Sequence, residues 1–324
     1  MTKGAHMNDL SRTLCGTFLL LATLSSPIQA ATCSSPDLAP GFCDQNGDMV
    51  ADSPQDKAQW LDPDPIVLGD VPTTDMAARA ERAAPFIHHL EKALGRKVTY
   101  FLAKDYADLI AAYKSNRVHI VNINTGSVEK EVRCHGYVPI AQPIDAKGNI
   151  DGAQSELIVP ANSPIKKVRD IKGHKLTFTE ESSNSGYKTP RTILAKEFGL
   201  EAGRDYSVDF SGRHDNSILG VANGIYEAAV AGSSIRINLT RDKLLNPSSI
   251  RVVWASKTFP QSPWGISYLL NPALAKRLQD AVVSYSGPET ALQYGNRFKP
   301  ANYKSDWAYI REMTIASGVP ISCK

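Results

Sequence analysis

Two short polar turns carry the residue types that hold an anion without a metal or a full positive charge. One is Ser182-Ser-Asn-Ser-Gly186 and the other is Asn124-Thr-Gly-Ser127. Into the first runs the alternating, β-prone segment Leu176 to Thr179, and out of it comes Thr192-Ile-Leu-Ala-Lys-Glu-Phe198 with apolar residues at helical spacing. A helix that begins at Ser183 or Ser185 has unpaired backbone N–H groups and the positive end of its dipole at that turn. The side chains of Ser183, Asn184 and Ser185 add further donors, and together these form a cradle for an oxyanion. Ser and Asn are also the commonest helix caps, but a cap needs one such residue and this turn offers four. The second turn offers Asn124, Thr125 and Ser127 at the carboxyl end of a strand, where ligands of α/β folds bind.

The elements that must position these turns follow an α/β alternation. Strands are predicted at 66–69, 98–102 and 118–123, with helices at 75–94, stopped by Gly95, and at 105–115, capped by Asp105. Such alternation predicts a parallel sheet with helices on its faces. Strands at 137–142 and 155–160 follow, then a short amphipathic helix at 163–173 ahead of the central turn. Beyond that turn come strands at 206–210, 226–231, 251–254 and 264–270, and helices at 215–223, 272–284 and 306–316. The division predicted is lobe one from 65–153 with 262–324, and lobe two from 154–261. The strand at 264–270 returns the chain to the first lobe, which leaves two crossings and a cleft between them. Trp254, Trp264 and Trp307 read as core or hinge packing.

The chain has 324 residues, 42% hydrophobic and 21% charged, with net charge +3. It is long enough for two lobes, and with no long basic run nothing points to nucleic acid; a monomer is expected. Lys3 and Arg12 precede the apolar run Leu14 to Leu24, and Ile28-Gln-Ala30 offers cleavage-site residues, so residues 1–30 read as a leader cut near Ala30 that sends the protein to the periplasm. Residues 31–64, rich in Pro, Asp and Gly, form an N-terminal extension. Within it Asp44 to Asp52 spaces oxygens like a calcium loop, but Gly47 and Gln55 stand at positions 4 and 12 where an EF-hand needs Gly at 6 and Glu at 12, which favours a turn-rich surface loop. Cys33, Cys43, Cys134 and Cys323 remain after leader removal, and three disulfide pairings are open to them. The alternative is that Cys134 stays a thiol and binds a thiophilic solute. Neither a Gly-x-Ser-x-Gly elbow nor a His-Glu-x-x-His motif is present, and His88 and His89 point different ways on a helix. No enzyme activity, metal or cofactor is expected.

The segments 173–190 and Ser211-Gly-Arg-His-Asp-Asn-Ser-Ile-Leu-Gly-Val-Ala-Asn223 resemble the phosphate/phosphite/phosphonate solute-binding proteins of ABC importers. That family has a strand, a Ser-Gly-Tyr/Phe turn followed by Pro, and a Gly-x-His segment before a helix. Asn124 to Ser127, Asp105-Tyr-Ala-Asp-Leu-Ile110, Thr258-Phe-Pro260 and Asp306-Trp-Ala-Tyr-Ile-Arg311 also resemble it, so the likeness covers about residues 64–315. It implies a type II periplasmic binding fold, two α/β lobes joined by a two-strand hinge that closes around the solute. It further implies that Ser183, Asn184 and Ser185 bind the oxyanion, that His214 is the ligand-contacting histidine, and that Asn124, Thr125 and Ser127 face them. Aminophosphonate-binding members hold the ammonium with carboxylates in the second lobe. Here the matching strand end is Ala231-Gly-Ser-Ser234, which favours phosphite or a simple alkylphosphonate, although Glu180 and Glu181 stand close to the cradle. The family's arsenite-sensing branch, which signals to a membrane histidine kinase, depends on a cysteine in the region of Cys134. The leading expectation is capture of a small oxyanion for an inner-membrane ABC permease, with the arsenite sensor as the alternative.

Overall fold

Strands buried on both faces organise the molecule, seen here in a computed structural model that describes residues 1, 35–71, 76–288, 296–318 and 321–323. The leader read over residues 1–30 lies outside the described residues apart from Met1, as does Cys33. The fold is that of the unit 33–324. Its strands are β1 (Ile66–Asp70), β2 (Val98–Leu102), β3 (Ile120–Asn122), β4 (Tyr137–Pro143), β5 (Gly152–Ala153), β6 (Ser155–Pro160), β7 (Lys175–Phe178), β8 (Ser207–Phe210), β9 (Ala228–Gly232), β10 (Ile250–Ala255), β11 (Phe259–Pro260), β12 (Trp264–Ser267) and β13 (Phe298–Pro300). Its α-helices are α1 (Met76–Leu94), α2 (Tyr106–Lys114), α3 (Thr125–His135), α4 (Thr189–Phe198), α5 (His214–Ala222), α6 (Ser233–Arg241), α7 (Pro272–Val283), α8 (Tyr303–Asp306) and α9 (Ala308–Ser317).

Two sheets result. One has the order β13-β4-β12-β3-β1-β2 and the other β10-β6-β9-β7-β8, with a small ladder of β5 and β11 beside them. The chain leaves the first sheet after β4 and returns through β12. No crossover helix lies between β11 and β12, so β12 enters antiparallel to both β3 and β4. In the second sheet β6 runs antiparallel to β9 and β10, while β7 is parallel to β8 and β9. The parallel sheet expected from the alternation over residues 66–123 is borne out, since β1 is parallel to both β2 and β3, while each sheet as a whole is mixed because the crossing strands feed it from the opposite direction.

Each sheet is covered on both sides, which explains strands that read as continuous apolar runs, such as the fully buried Ala-Ala-Val-Ala-Gly of β9. On one face of the first sheet Ile66, Leu68 and Ile266 pack with Phe86 and Leu90 of α1 and Leu274 and Leu278 of α7. On the other, Val121 and Ile123 meet Leu109 of α2, Val128 and Val132 of α3 and Trp307, together with Leu38 and Ala51 from the residues preceding β1. In the second sheet Leu176 and Phe178 pack with Leu194 of α4, and Ala229 and Ala231 with Ile218 of α5 and Ile235 of α6. The helix read at 163–173 shrinks to a 3₁₀ turn, Val168–Ile171. Asp170 takes the amides of Lys166 and Lys167 at 2.9 and 3.1 Å, and Ser163 Oγ takes that of Ile165, so local side chains compete with the helix for its backbone donors.

Cys134, next to the end of α3, is joined to Cys323 with a Cα–Cα distance of 5.2 Å. This corrects the Cys134 thiol reading and, of the pairings left open, selects the one that joins Cys134 to Cys323. The bond closes a sequence separation of 189 residues. Replacing Cys134 by Ser is expected to lower the unfolding free energy by up to about 5 kcal/mol in a denaturant titration, the loop-closure entropy of so long a loop. A loss below about 1 kcal/mol would show that the bond adds nothing to stability.

Candidate functional site

The central turn folds as a one-turn π-helix, Asn184–Lys188, that runs directly into α4. Ser183 is its N-cap, with its Oγ accepting from the Gly186 amide at 3.0 Å. π-Turns of this kind recur at functional sites because they re-aim the residues at their start. Opposite stands the first turn of α3, capped by Asn124, whose Oδ1 accepts from the Ser127 amide at 2.9 Å.

Between them lies a cavity of about 40 Å³, lined among others by Tyr106, Asn124, Thr125, Ser183, Asn184, Ser185, His214, Gly232 and Ser234. Each of these belongs to the beginning of a helix: Tyr106 to α2, Asn124 and Thr125 to α3, Ser183 to Ser185 to the π-turn ahead of α4, His214 to α5, and Gly232 and Ser234 to α6. The positive ends of several helix dipoles thus converge on one small space, each worth roughly half a unit charge. The rest of the lining is Ala153, Ile235, Phe259, Gln261 and Ser262, so no Lys, Arg, Asp or Glu faces the cavity among the described residues.

The hydrogen bonds around His214 fix the direction of its donors. Gly232 N–H donates to Nδ1 at 3.0 Å, so in the neutral ring Nε2 carries the proton and donates it to Ser183 Oγ at 3.2 Å. Burial pushes the imidazole down to about 4, which keeps it neutral near pH 7. Ser183 Oγ then accepts from both His214 and Gly186, and its own proton is left for another acceptor. Asn184 behaves likewise: its Oδ1 takes the Thr189 hydroxyl at 2.7 Å, while its Nδ2 is buried with no partner among the described residues. Thr125 donates its hydroxyl to Pro260 O at 3.3 Å and so presents lone pairs. Ser183 and Asn184 thus offer oriented, neutral donors to a small acceptor, and the Thr125 hydroxyl does not.

Of the residues singled out in the sequence, Asn124, Thr125, Ser183, Asn184, Ser185 and His214 are brought together. Ser127 is not in the lining; its amide caps α3. Cys134 is nine residues further along that helix than Thr125, about 13 Å at the helical rise, and its sulfur is held by Cys323. Glu180 accepts from the Ser182 hydroxyl, and neither it nor Glu181 lines the cavity. Reading the sequence missed α6: Ala231-Gly-Ser-Ser234 passed for a strand end, although Ile235 and Leu239 at helical spacing behind a Ser pair repeat the signal of the central turn. Tyr106, directly after the Asp105 cap, was missed for want of any polar cluster, and Gln261 and Ser262 sit on the returning crossing with no motif.

The profile of the ABC transporter, phosphonate, periplasmic substrate-binding proteins matches residues 68–306 of this chain. The chain belongs to this family. The family is one of periplasmic transport proteins that bind a substrate and are not enzymes. Among its relatives, the phosphate-import protein PhnD of Mycolicibacterium smegmatis is 26% identical over 238 residues, covering 71% of this chain and 74% of its own. The phosphonates-binding periplasmic protein of Escherichia coli is 30% identical over 209 residues, 62% of this chain and 60% of its own. The fold is the type II periplasmic binding fold. It is shared with the binding component of an ABC phosphonate transporter from Pseudomonas aeruginosa (TM-score 0.68, 22% identity, 79% of this chain and 87% of that one). PhnD1 of Prochlorococcus marinus in complex with methylphosphonate shares it too (TM-score 0.65, 21% identity, 77% and 97%).

For this member of the family, the buried neutral histidine has a consequence for stability. Its folded value of about 4 lies below its ordinary 6.5, so as pH falls the unfolded chain takes up the proton first. The stabilisation is whole above pH 6.5 and is lost as pH falls toward 4, by about 3 kcal/mol. A His214→Gln variant is therefore expected to show a shallower fall in unfolding free energy than the wild type between pH 6.5 and 4. Parallel curves would show that His214 is not buried neutral.

Proposed function

We propose that this protein captures a small phosphorus oxyanion, such as phosphite, a simple alkylphosphonate or phosphate, and delivers it to an inner-membrane ABC permease. On this reading it works as a monomer in the periplasm after a leader is removed near Ala30. The observation that carries the reading is the convergence of helix starts on a cavity that, among the described residues, is lined by neither cation nor carboxylate. A tetrahedral anion accepts from fixed N–H and O–H groups in several directions, and each bond to a charged oxygen is worth about 1.5 to 3 kcal/mol. Ser183, Asn184 and Ser185 supply donors from one side, and Asn124 and Thr125 face them. His214 acts through Ser183 by holding the hydroxyl proton outward.

The lining narrows the ligand class: among the described residues no carboxylate lines the cavity to hold an ammonium. Relatives named for phosphate import and for phosphonate binding, and a like-folded protein in complex with methylphosphonate, support the same class. The arsenite-sensor reading needed a Cys134 thiolate, and with that sulfur bonded to Cys323 it loses its ligand.

In calorimetric titrations with methylphosphonate and phosphite, Ser183→Ala combined with Ser185→Ala is expected to weaken binding by at least a hundredfold, two charge-assisted bonds being lost. Circular dichroism of the free variant should stay close to wild type while its melting temperature falls modestly, since the lost cap costs about 1 kcal/mol and the buried His214 N–H left without its acceptor about 1 to 3 kcal/mol. A folded double variant that keeps wild-type affinity would remove these serines from the site.

A further inference from the structure

The same π-turn that begins with the cavity residues ends in Lys188, which is not among the residues that line the cavity. Its Nζ donates to the carbonyl of Gly126 at 2.6 Å. Gly126 lies in the first turn of α3, beside Asn124 and Thr125, whereas Lys188 belongs to the π-turn that carries Asn184 and Ser185. Asn124 Nδ2 reaches across to Ser182 Oγ at 3.3 Å. At Gly126 the two sides press together: a methyl group there would stand 2.6 Å from Asn184 N and closer still to Ser182 O. Glu129, one turn on in α3, attracts Lys188 as well, while burial pushes the lysine down. So the segment carrying Ser183 to Ser185 and the one carrying Asn124 and Thr125 are fastened to each other by a cation that lies outside the cavity.

We propose that Lys188 is a closing latch, gripping the first turn of α3 when the two α/β units shut on the ligand and setting how long the ligand stays. Gly126 is its counterpart, since only a residue without a Cβ lets the two backbones approach closely enough for the grip. The latch rests on the oxyanion reading above. It goes beyond it in giving a role to a residue that does not line the cavity.

The test is stopped-flow binding of methylphosphonate and phosphite to the intact protein, with small-angle scattering of the free and saturated forms. In Lys188→Met, which keeps an unbranched stem and removes the charge, dissociation is expected to quicken at least tenfold while association changes less than threefold. In Gly126→Ala, which improves helix propensity in α3, the free protein should melt no lower than wild type, yet affinity should fall at least a hundredfold and the contraction on ligand addition should vanish. Dissociation from Lys188→Met within twofold of wild type, or a Gly126→Ala protein that binds and contracts normally, would overturn the latch while leaving the oxyanion reading intact. A wild type that binds neither anion would overturn both.

Discussion

An anion held without a cation depends on donors that cannot turn away, and in this protein one hydrogen-bond chain sets that direction. Gly232 N–H, His214 and Ser183 form a relay in which each group has one arrangement open to it. The relay joins the end of β9, the start of α5 and the π-turn after β7, so it forms only when the second sheet has assembled in the order that places β9 beside β7. A charged imidazole would break it, because Nδ1 must accept. Burial provides the neutral ring, and the fold's packing thereby becomes part of the chemistry of the cavity.

Topology explains why so many helix starts meet in one place. Successive β-α units of each sheet deliver helix N-termini at the same edge, and the two crossings bring those edges face to face. Gly152 on the first crossing strand packs against Thr258 beside the second so closely that a Cβ would overlap the threonine methyl. α9 packs against α3 and α4, so helices that neighbour different sheets touch there as well.

Much of this was legible in the sequence, and the failures have physical reasons. Strands such as 66–70 and 98–102 and the helix capped by Asp105 depend on local signals, and they stand where the pattern placed them. The parallel run of β2, β1 and β3 also followed the pattern, whereas the antiparallel entry of β12 had no signal, because strand direction after a crossing is set by the neighbour and not by the strand's own residues. α6 was hidden by a strand of small residues that ran into its serines. The Cys134–Cys323 bond leaves no local trace across 189 residues. For His214 the residue was marked through the resemblance, yet its role was not: only the folded chain shows both ring nitrogens engaged, with Ser183 as the group it aims.

The central claim is that neutral, oriented donors bind a small tetrahedral anion. The most direct measurement is a calorimetric titration of the mature wild-type protein, disulfides intact, against phosphite, methylphosphonate, phosphate, 2-aminoethylphosphonate and arsenite. The account predicts tight binding of at least one of the first three and a much weaker response to 2-aminoethylphosphonate, whose ammonium finds no carboxylate among the described residues that line the cavity. Binding of arsenite alone, or of 2-aminoethylphosphonate in preference to the simple anions, would contradict it.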